Sequence, residues 1–272
     1  MRIFVFAYDR YEAMTTSNML EAENIEHTVL CHTQEAADLF IKHGTAKAER
    51  IHITNNPKGL AFQRNAALEL MQENEWAMFL VDDLKTVTEL RNHDKVLEAT
   101  IPITQQNQSH YAERFKHHIT MQQFVERGKQ LASQCDKHNC HLGGFAGINN
   151  PLYRKKHFSI NVLADGRAWV VKKSDLRFDE NVHMIDDLSF TTLNIKRFGI
   201  VIVNQWVLPD CKRYGTGGYG SINDRLQQKK QEVKYLVETY PELVAYKDKA
   251  GQEYRSHAAL RQRKKPKIKI GK

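Results

Sequence analysis

The sequence predicts the α/β class: a mostly parallel central sheet with flanking helices, in a single large domain. Three observations carry that prediction. Short apolar runs and helical stretches alternate four times over residues 3–84, the order that builds doubly wound sheets. The fourth run, residues 76–84, reads W-A-M-F-L-V-D-D-L and has no turn residue before its acids, as expected of a buried strand. At 272 residues with 41% apolar composition, the chain can also bury one large core.

Residues 3–7 read as the first strand, and Ala7, Tyr8, Asp9 and Arg10 form the loop at its carboxyl end. A helix follows over 11–22, a strand over 27–32 and a helix over 34–43. The third strand covers 51–54, and Asn55-Asn56-Pro57-Lys58-Gly59 is a turn-forming loop. Residues 60–72 place apolar side chains at helical spacing. The fourth strand then runs into Asp82 and Asp83. Ligands of open α/β sheets bind outside the carboxyl ends of the strands, so two acids there are placed to hold a divalent cation. The plainer reading makes them the start of a solvated loop.

Residues 85–141 are polar, with a helix expected around 111–135. Cys135, His138, Cys140 and His141 crowd into one run, whereas structural zinc sites draw on two separated pairs, so a polar loop is expected. Residues 141–148, H-L-G-G-F-A-G-I, bring three glycines into an apolar run, where Gly144 lets backbone approach a ligand or makes a bend. Tyr153, Arg154, Lys155 and Lys156 form a basic patch with an aromatic. Short strands are expected at 169–172, 176–178 and 200–203. Asp186 and Asp187 open a helix that ends at Gly199; the helix dipole favours acids in a first turn, and a pair of them also makes a candidate site. Residues 209–221, P-D-C-K-R-Y-G-T-G-G-Y-G-S, read either as a surface loop or as a phosphate cradle. In the second case the amides of Gly217 and Gly218 hold the anion, with Lys212 and Arg213 adding charge. A polar helix occupies 222–245, and 261–272 is a basic tail.

Charge divides the chain. Residues 1–100 hold 10 Lys and Arg against 16 Asp and Glu, and the remaining residues hold 30 against 16. The acidic third and the basic remainder suggest two jobs, and a basic surface favours a polyanion, with nucleic acid first among candidates. No apolar segment reaches membrane-spanning length, and four scattered or closely spaced cysteines suggest a reduced, cytoplasmic protein.

Taken in order, the loop Tyr8-Asp9-Arg10, the run Gly59-Leu60-Ala61-Phe62-Gln63-Arg64-Asn65, the strand end Val81-Asp82-Asp83 and the pair Asp186-Asp187 with Gly199 resemble the GT-A glycosyltransferases. The resemblance implies a Rossmann-like GT-A sheet. Residues 1–100 would form its nucleotide-sugar half, 101–260 its acceptor half, and 261–272 a tail. It implies that Ala7, Tyr8, Asp9, Arg10, Asn55, Gly59, Arg64, Asn65 and Asp82 meet a UDP-sugar, with Lys212 and Arg213 near its phosphates. It further implies that Asp83 and Asp82 hold Mn²⁺ or Mg²⁺, and that Asp187, with Asp186 second, faces the acceptor as the reacting carboxylate. Two departures stand out: Asp82-Asp83-Leu84 lacks an acid at its third position, and Asp186-Asp187 stands where Glu-Asp is more usual. Within the family the chain looks most like the phage-type enzymes that glycosylate oxidised pyrimidines in DNA. That likeness implies a DNA partner, contacts from Gly144, Tyr153, Arg154, Lys155, Lys156, Tyr214, Gly217, Gly218 and Tyr219, and the host cytoplasm as location. The competing expectations are transfer to a surface glycan or lipid-linked saccharide, and a non-catalytic nucleic-acid-binding protein.

Overall fold

The computed structural model describes residues 1–7, 9–12, 14–90, 116–148, 157–211, 222–247 and 258–261. The first half runs β1 (Arg2–Phe6), α1 (Thr15–Ala22), β2 (Thr28–Cys31), α2 (Gln34–Lys42), β3 (Ile51–Ile53), α3 (Leu60–Leu70), β4 (Trp76–Val81) and β5 (Leu84–Leu90). Next come β6 (Lys116–Ile119), α4 (Met121–Asp136), β7 (Leu142–Phe145), β8 (Phe158–Ile160) and β9 (Ala168–Lys172). The chain closes with α5 (Asp186–Phe198), β10 (Ile202–Asn204), β11 (Val207–Cys211), α6 (Ile222–Thr239), β12 (Val244–Tyr246) and β13 (Ala258–Leu260).

The central sheet has eight strands in the order β3-β2-β1-β4-β9-β7-β10-β8. It is mostly parallel: β9 and β8 run against the other six. Both halves of the chain therefore share one sheet in a mixed α/β domain. Alternation sorts its side chains. Ile3, Val5, Met78 and Leu80 pack on one face with Leu20, Phe40 and Phe124 from α1, α2 and α4. Phe4, Phe6, Ala77 and Phe79 pack on the other with Leu68, Leu188 and Leu236 from α3, α5 and α6. These strands are apolar throughout because both faces are covered.

The order also fixes where a ligand belongs. The chain steps outward from β1 to β2 and β3, then returns to place β4 on the other side of β1. That reversal opens a crevice at the carboxyl ends of β1 and β4, the position at which open α/β sheets bind ligands. Asp82 and Asp83 lie there, but they do not begin a long loop. They form a tight turn between two sheets, because β5 starts at Leu84 and pairs with β6 and β11 in a second, three-stranded sheet.

Other elements also differ from expectation. Residues 176–178 are not a strand, and α1 starts at Thr15, four residues after the expected position. The Cys135–His141 run is not a polar loop: Cys135 and Cys140 are buried, and His141 stacks on Phe198 at 3.8 Å. None of the four cysteines forms a disulfide. Among the described residues no helix is long and apolar enough to cross a membrane.

Gly144 is a packing residue. It is buried in β7, and a Cβ there would lie 2.7 Å from the Ala164 Cβ and 2.9 Å from its Cα. Close packing against Ala164 accounts for a glycine at this position. Gly144→Ala is expected to lower stability by about 1–3 kcal/mol in denaturant titration, since backbone must move to admit the methyl group.

Candidate active site

The β4–β5 turn carrying the first acidic pair is held from below. Thr16 Oγ1 donates to the Val81 carbonyl at 2.6 Å and accepts the Leu84 amide at 2.9 Å, and the Thr16 amide donates to the Asp82 carbonyl at 3.2 Å. Thr15 Oγ1 donates to the Leu84 carbonyl. The first turn of α1 thus fixes the backbone of both acids. Their side chains converge on one cation: Arg10 Nη1 lies 2.9 Å from Asp82 Oδ1 and 2.6 Å from Asp83 Oδ2. Burial pushes the Asp83 carboxyl above its ordinary value, and Arg10 draws it back down.

The neighbouring β1 loop is arranged alike. Asp9 adopts a left-handed backbone with φ 42°, accepts from the Tyr11 hydroxyl at 3.0 Å and pairs with Lys58 from the β3–α3 loop. Asn55, also left-handed at φ 53°, is exposed on that loop. Gly59 is buried, and a Cβ on it would meet the Phe62 ring at 3.1 Å and His183 Nδ1 at 3.4 Å. The start of α3 therefore abuts the chain that leads into α5.

Behind this edge sits Arg64, 2% exposed. Its guanidinium lies 4.4 Å from the Trp169 ring and within 5.6 Å of Phe178 and Phe6. It pairs with Asp186 and donates to the Gly166 carbonyl at 3.1 Å. Burial pushes it down to about 10, opposed by the Asp187 charge. The expected contact between Arg64 and donor phosphates is thus not what the structure shows, because this cation is spent inside. Asn65 is likewise internal: its side chain donates to the Phe178 carbonyl at 3.1 Å and accepts the Phe178 amide at 2.8 Å. Both belong to a buried face of α3, which the polar letters Q-R-N disguise.

Asp187 differs from Asp186. It is partly buried, makes no ion pair among the described residues, and accepts from its neighbour's amide, Leu188, at 2.7 Å. Burial first, and then the Asp165 charge, push its carboxyl up to about 6. Asp165 is itself clamped by Arg167, with Nε at 2.6 Å and Nη2 at 3.1 Å. A carboxyl that titrates near neutrality is suited to acid–base work.

The segment Asp165-Gly166-Arg167 links the two acidic pairs and was not singled out from the sequence. The Arg167 carbonyl accepts the Val81 amide at 3.1 Å, just before Asp82. Gly166 touches both Asp187 and Arg64. Arg167 Nη2 donates to the Gly147 carbonyl at 2.6 Å, and a Cβ on Gly147 would lie 2.8 Å from Asp165 Oδ2. The D-G-R spelling was the available signal, a tight bend with opposite charges. A second missed residue is Glu232 on α6, 4% exposed, whose carboxylate accepts the amides of His183, Met184 and Ile185 at 2.8–3.2 Å. It holds the backbone that delivers Asp186 and Asp187.

Asp82 and Asp83 offer two hard oxygens to one cationic point. That donor set fits Mg²⁺ or Mn²⁺, which bind through one or two carboxylates when phosphates and waters complete the shell. Among the described residues no group of three His, Cys, Asp or Glu side chains converges on a metal position. Tyr8, Tyr153, Arg154, Lys155, Lys156, Lys212, Arg213, Tyr214, Gly217, Gly218 and Tyr219 lie outside the described residues. No family model and no curated protein matches the chain.

The two acids of α5 should separate experimentally. Asp186→Asn strands the buried Arg64 charge and is expected to cost roughly 3–5 kcal/mol of stability. Asp187→Asn should leave stability level or raised at pH 7. A carboxyl whose folded pKa is raised stabilises the fold at low pH, and that contribution is lost as pH rises through about 6. Denaturant titration of both variants at pH 7 checks the contrast.

Proposed function

We propose that the protein is a nucleotide-sugar-dependent glycosyltransferase whose acceptor is a hydroxyl on DNA, most simply a hydroxymethylated pyrimidine. The observation that carries the reading is the meeting of two unlike acidic pairs at one strand edge. Asp82 and Asp83 gather around a cation at the β1–β4 crevice, and Asp187 titrates near neutrality across the Asp165–Arg167 segment.

A donor diphosphate needs positive charge at the leaving oxygen and an oriented sugar. Asp82 and Asp83 would hold the divalent ion, which supplies Lewis-acid neutralisation of the departing phosphate. Arg10 and Lys58 place further positive charge on the same edge, each now paired to an acid. Attack also requires a base for the acceptor hydroxyl. Asp187 suits that role because a carboxylate near pKa 6 is ionised at neutral pH and still basic enough to take a proton, a contribution of ~10²–10⁴-fold. Asp186 is committed to Arg64, which favours Asp187 as the reacting acid.

The DNA part rests on charge. The residues after 100 carry the 30 Lys and Arg, including the 153–156 patch and the tail, and basic segments of this kind contact phosphate backbone. Extruding a base costs a few kcal/mol, which such contacts can offset.

Labelled sugar is expected to move from a UDP-sugar to hydroxymethylcytosine DNA in the presence of Mn²⁺, and to be lost in Asp83→Ala and Asp187→Asn. The wild-type rate should fall about tenfold per pH unit below about 6, where Asp187 becomes protonated. Transfer to a saccharide but to no modified DNA would remove the DNA acceptor. Salt-sensitive DNA binding with no nucleotide-sugar binding would favour a non-catalytic nucleic-acid-binding protein.

A further inference from the structure

Arg10 and Arg167 are both cations at the crevice, but they are held differently. Arg167 is 7% exposed and locked by the Asp165 fork and the Gly147 carbonyl, and its charge acts on Asp83. Its Nη1 is buried without a hydrogen-bond partner among the described residues and lies 3.9 Å from Asp210 Oδ1. Arg10 retains a quarter of its side-chain surface, and its ion pairs are to the two acids of the β4–β5 turn. Thr15 and Thr16 hold the backbone of the turn that carries both acids, which keeps the two carboxylates adjacent. Two carboxylates fixed this close require a counter-charge, and Arg10 supplies it through a single nitrogen.

We infer that Arg10 is the resident counter-ion of the Asp82–Asp83 pair, displaced when a divalent cation arrives and then free to meet the anion that the cation brings. The inference rests on the glycosyltransferase reading for the identity of that anion, a nucleoside diphosphate. A doubly charged ion replaces a single positive charge between the same oxygens, so binding proceeds by exchange of cations. The released guanidinium keeps its five N–H donors and a fork that fits phosphate oxygens. Arg167 stays as the fixed cation throughout.

The test is direct metal binding, measured by calorimetry with Mn²⁺ alone and then with UDP added. Arg10→Gln is expected to bind Mn²⁺ on the order of tenfold more tightly than the wild type, about 1.4 kcal/mol, because nothing must be displaced. The same variant should bind UDP more weakly in saturating Mn²⁺. Arg10→Lys, which restores a counter-charge, should return the Mn²⁺ affinity towards that of the wild type. Equal or weaker Mn²⁺ binding by Arg10→Gln overturns the counter-ion role and leaves the glycosyltransferase reading standing. Absence of Mn²⁺ binding to wild type and variant alike, with or without UDP, overturns both. Should Arg10→Gln not fold, a wild-type crystal soaked in Mn²⁺ decides: Arg10 still touching both carboxylates beside a bound ion overturns the exchange.

Discussion

The interaction on which the rest depends is the buried pair of Arg64 and Asp186. Arg64 stands on α3, in the first half of the chain, and Asp186 opens α5 in the second. Removing a guanidinium from water carries a penalty of several kcal/mol, so the fold must hold this side chain where it is compensated. It does so with the Trp169, Phe6 and Phe178 rings, whose faces attract a desolvated cation by ~2 kcal/mol, and with Asp186 and the Gly166 carbonyl. Shift any of these and a full charge is left uncompensated in the core. The pair therefore fixes the start of α5 relative to α3 and β9. From there it fixes Asp187, one residue on, relative to the edge where β4 ends.

That constraint separates position from reactivity. Asp186 is bound into the framework, while Asp187 shares the Arg64 charge without an ion pair of its own among the described residues. Glu232 supports the arrangement from the opposite side by accepting three amides ahead of α5. A carboxylate accepting several backbone N–H groups is a strong, directional anchor. It frees the first turn of α5 from needing its own acids as caps, so the Asp pair is not explained by the helix dipole alone.

Much of the sheet was legible because its strands are buried on both faces and spell themselves as apolar runs. The boundaries of β1, β2, β3 and β4 moved by no more than a few residues. The second sheet was not legible. β5 reads L-K-T-V-T-E-L, a half-polar string, and β6 reads K-H-H-I inside a stretch expected to be helical, so these strands are defined only by their pairing with each other and with β11. The candidate site divides in the same way. Asp82, Asp83 and the β1 loop could be placed at strand ends from order alone, and Asp187 in the first turn of a helix. Arg64 and Asn65 could not be recognised as internal, since nothing local distinguishes a guanidinium that meets phosphate from one stacked on tryptophan. The Asp165–Arg167 link was hidden for the opposite reason: its residues are ordinary, and their weight comes from β9 running antiparallel beside β4.

The charge arrangement of this edge leads to a final step. Asp9 is paired with Lys58, Asp82 and Asp83 with Arg10, Asp165 with Arg167, and Asp186 with Arg64. Each of these acids is paired from within, Asp82 and Asp83 sharing the one Arg10 and Asp165 using the Arg167 of its own segment. Asp187 is the acid left without an ion pair among the described residues, and it is the one whose carboxyl rises to about 6. Its elevation does not come from burial alone, because the clamped Asp165 anion adds to it. The edge therefore carries mostly paired acids in place of bare negative charge: Lys58 and Arg10 keep part of their side-chain surface exposed there, while Arg64 is enclosed behind it.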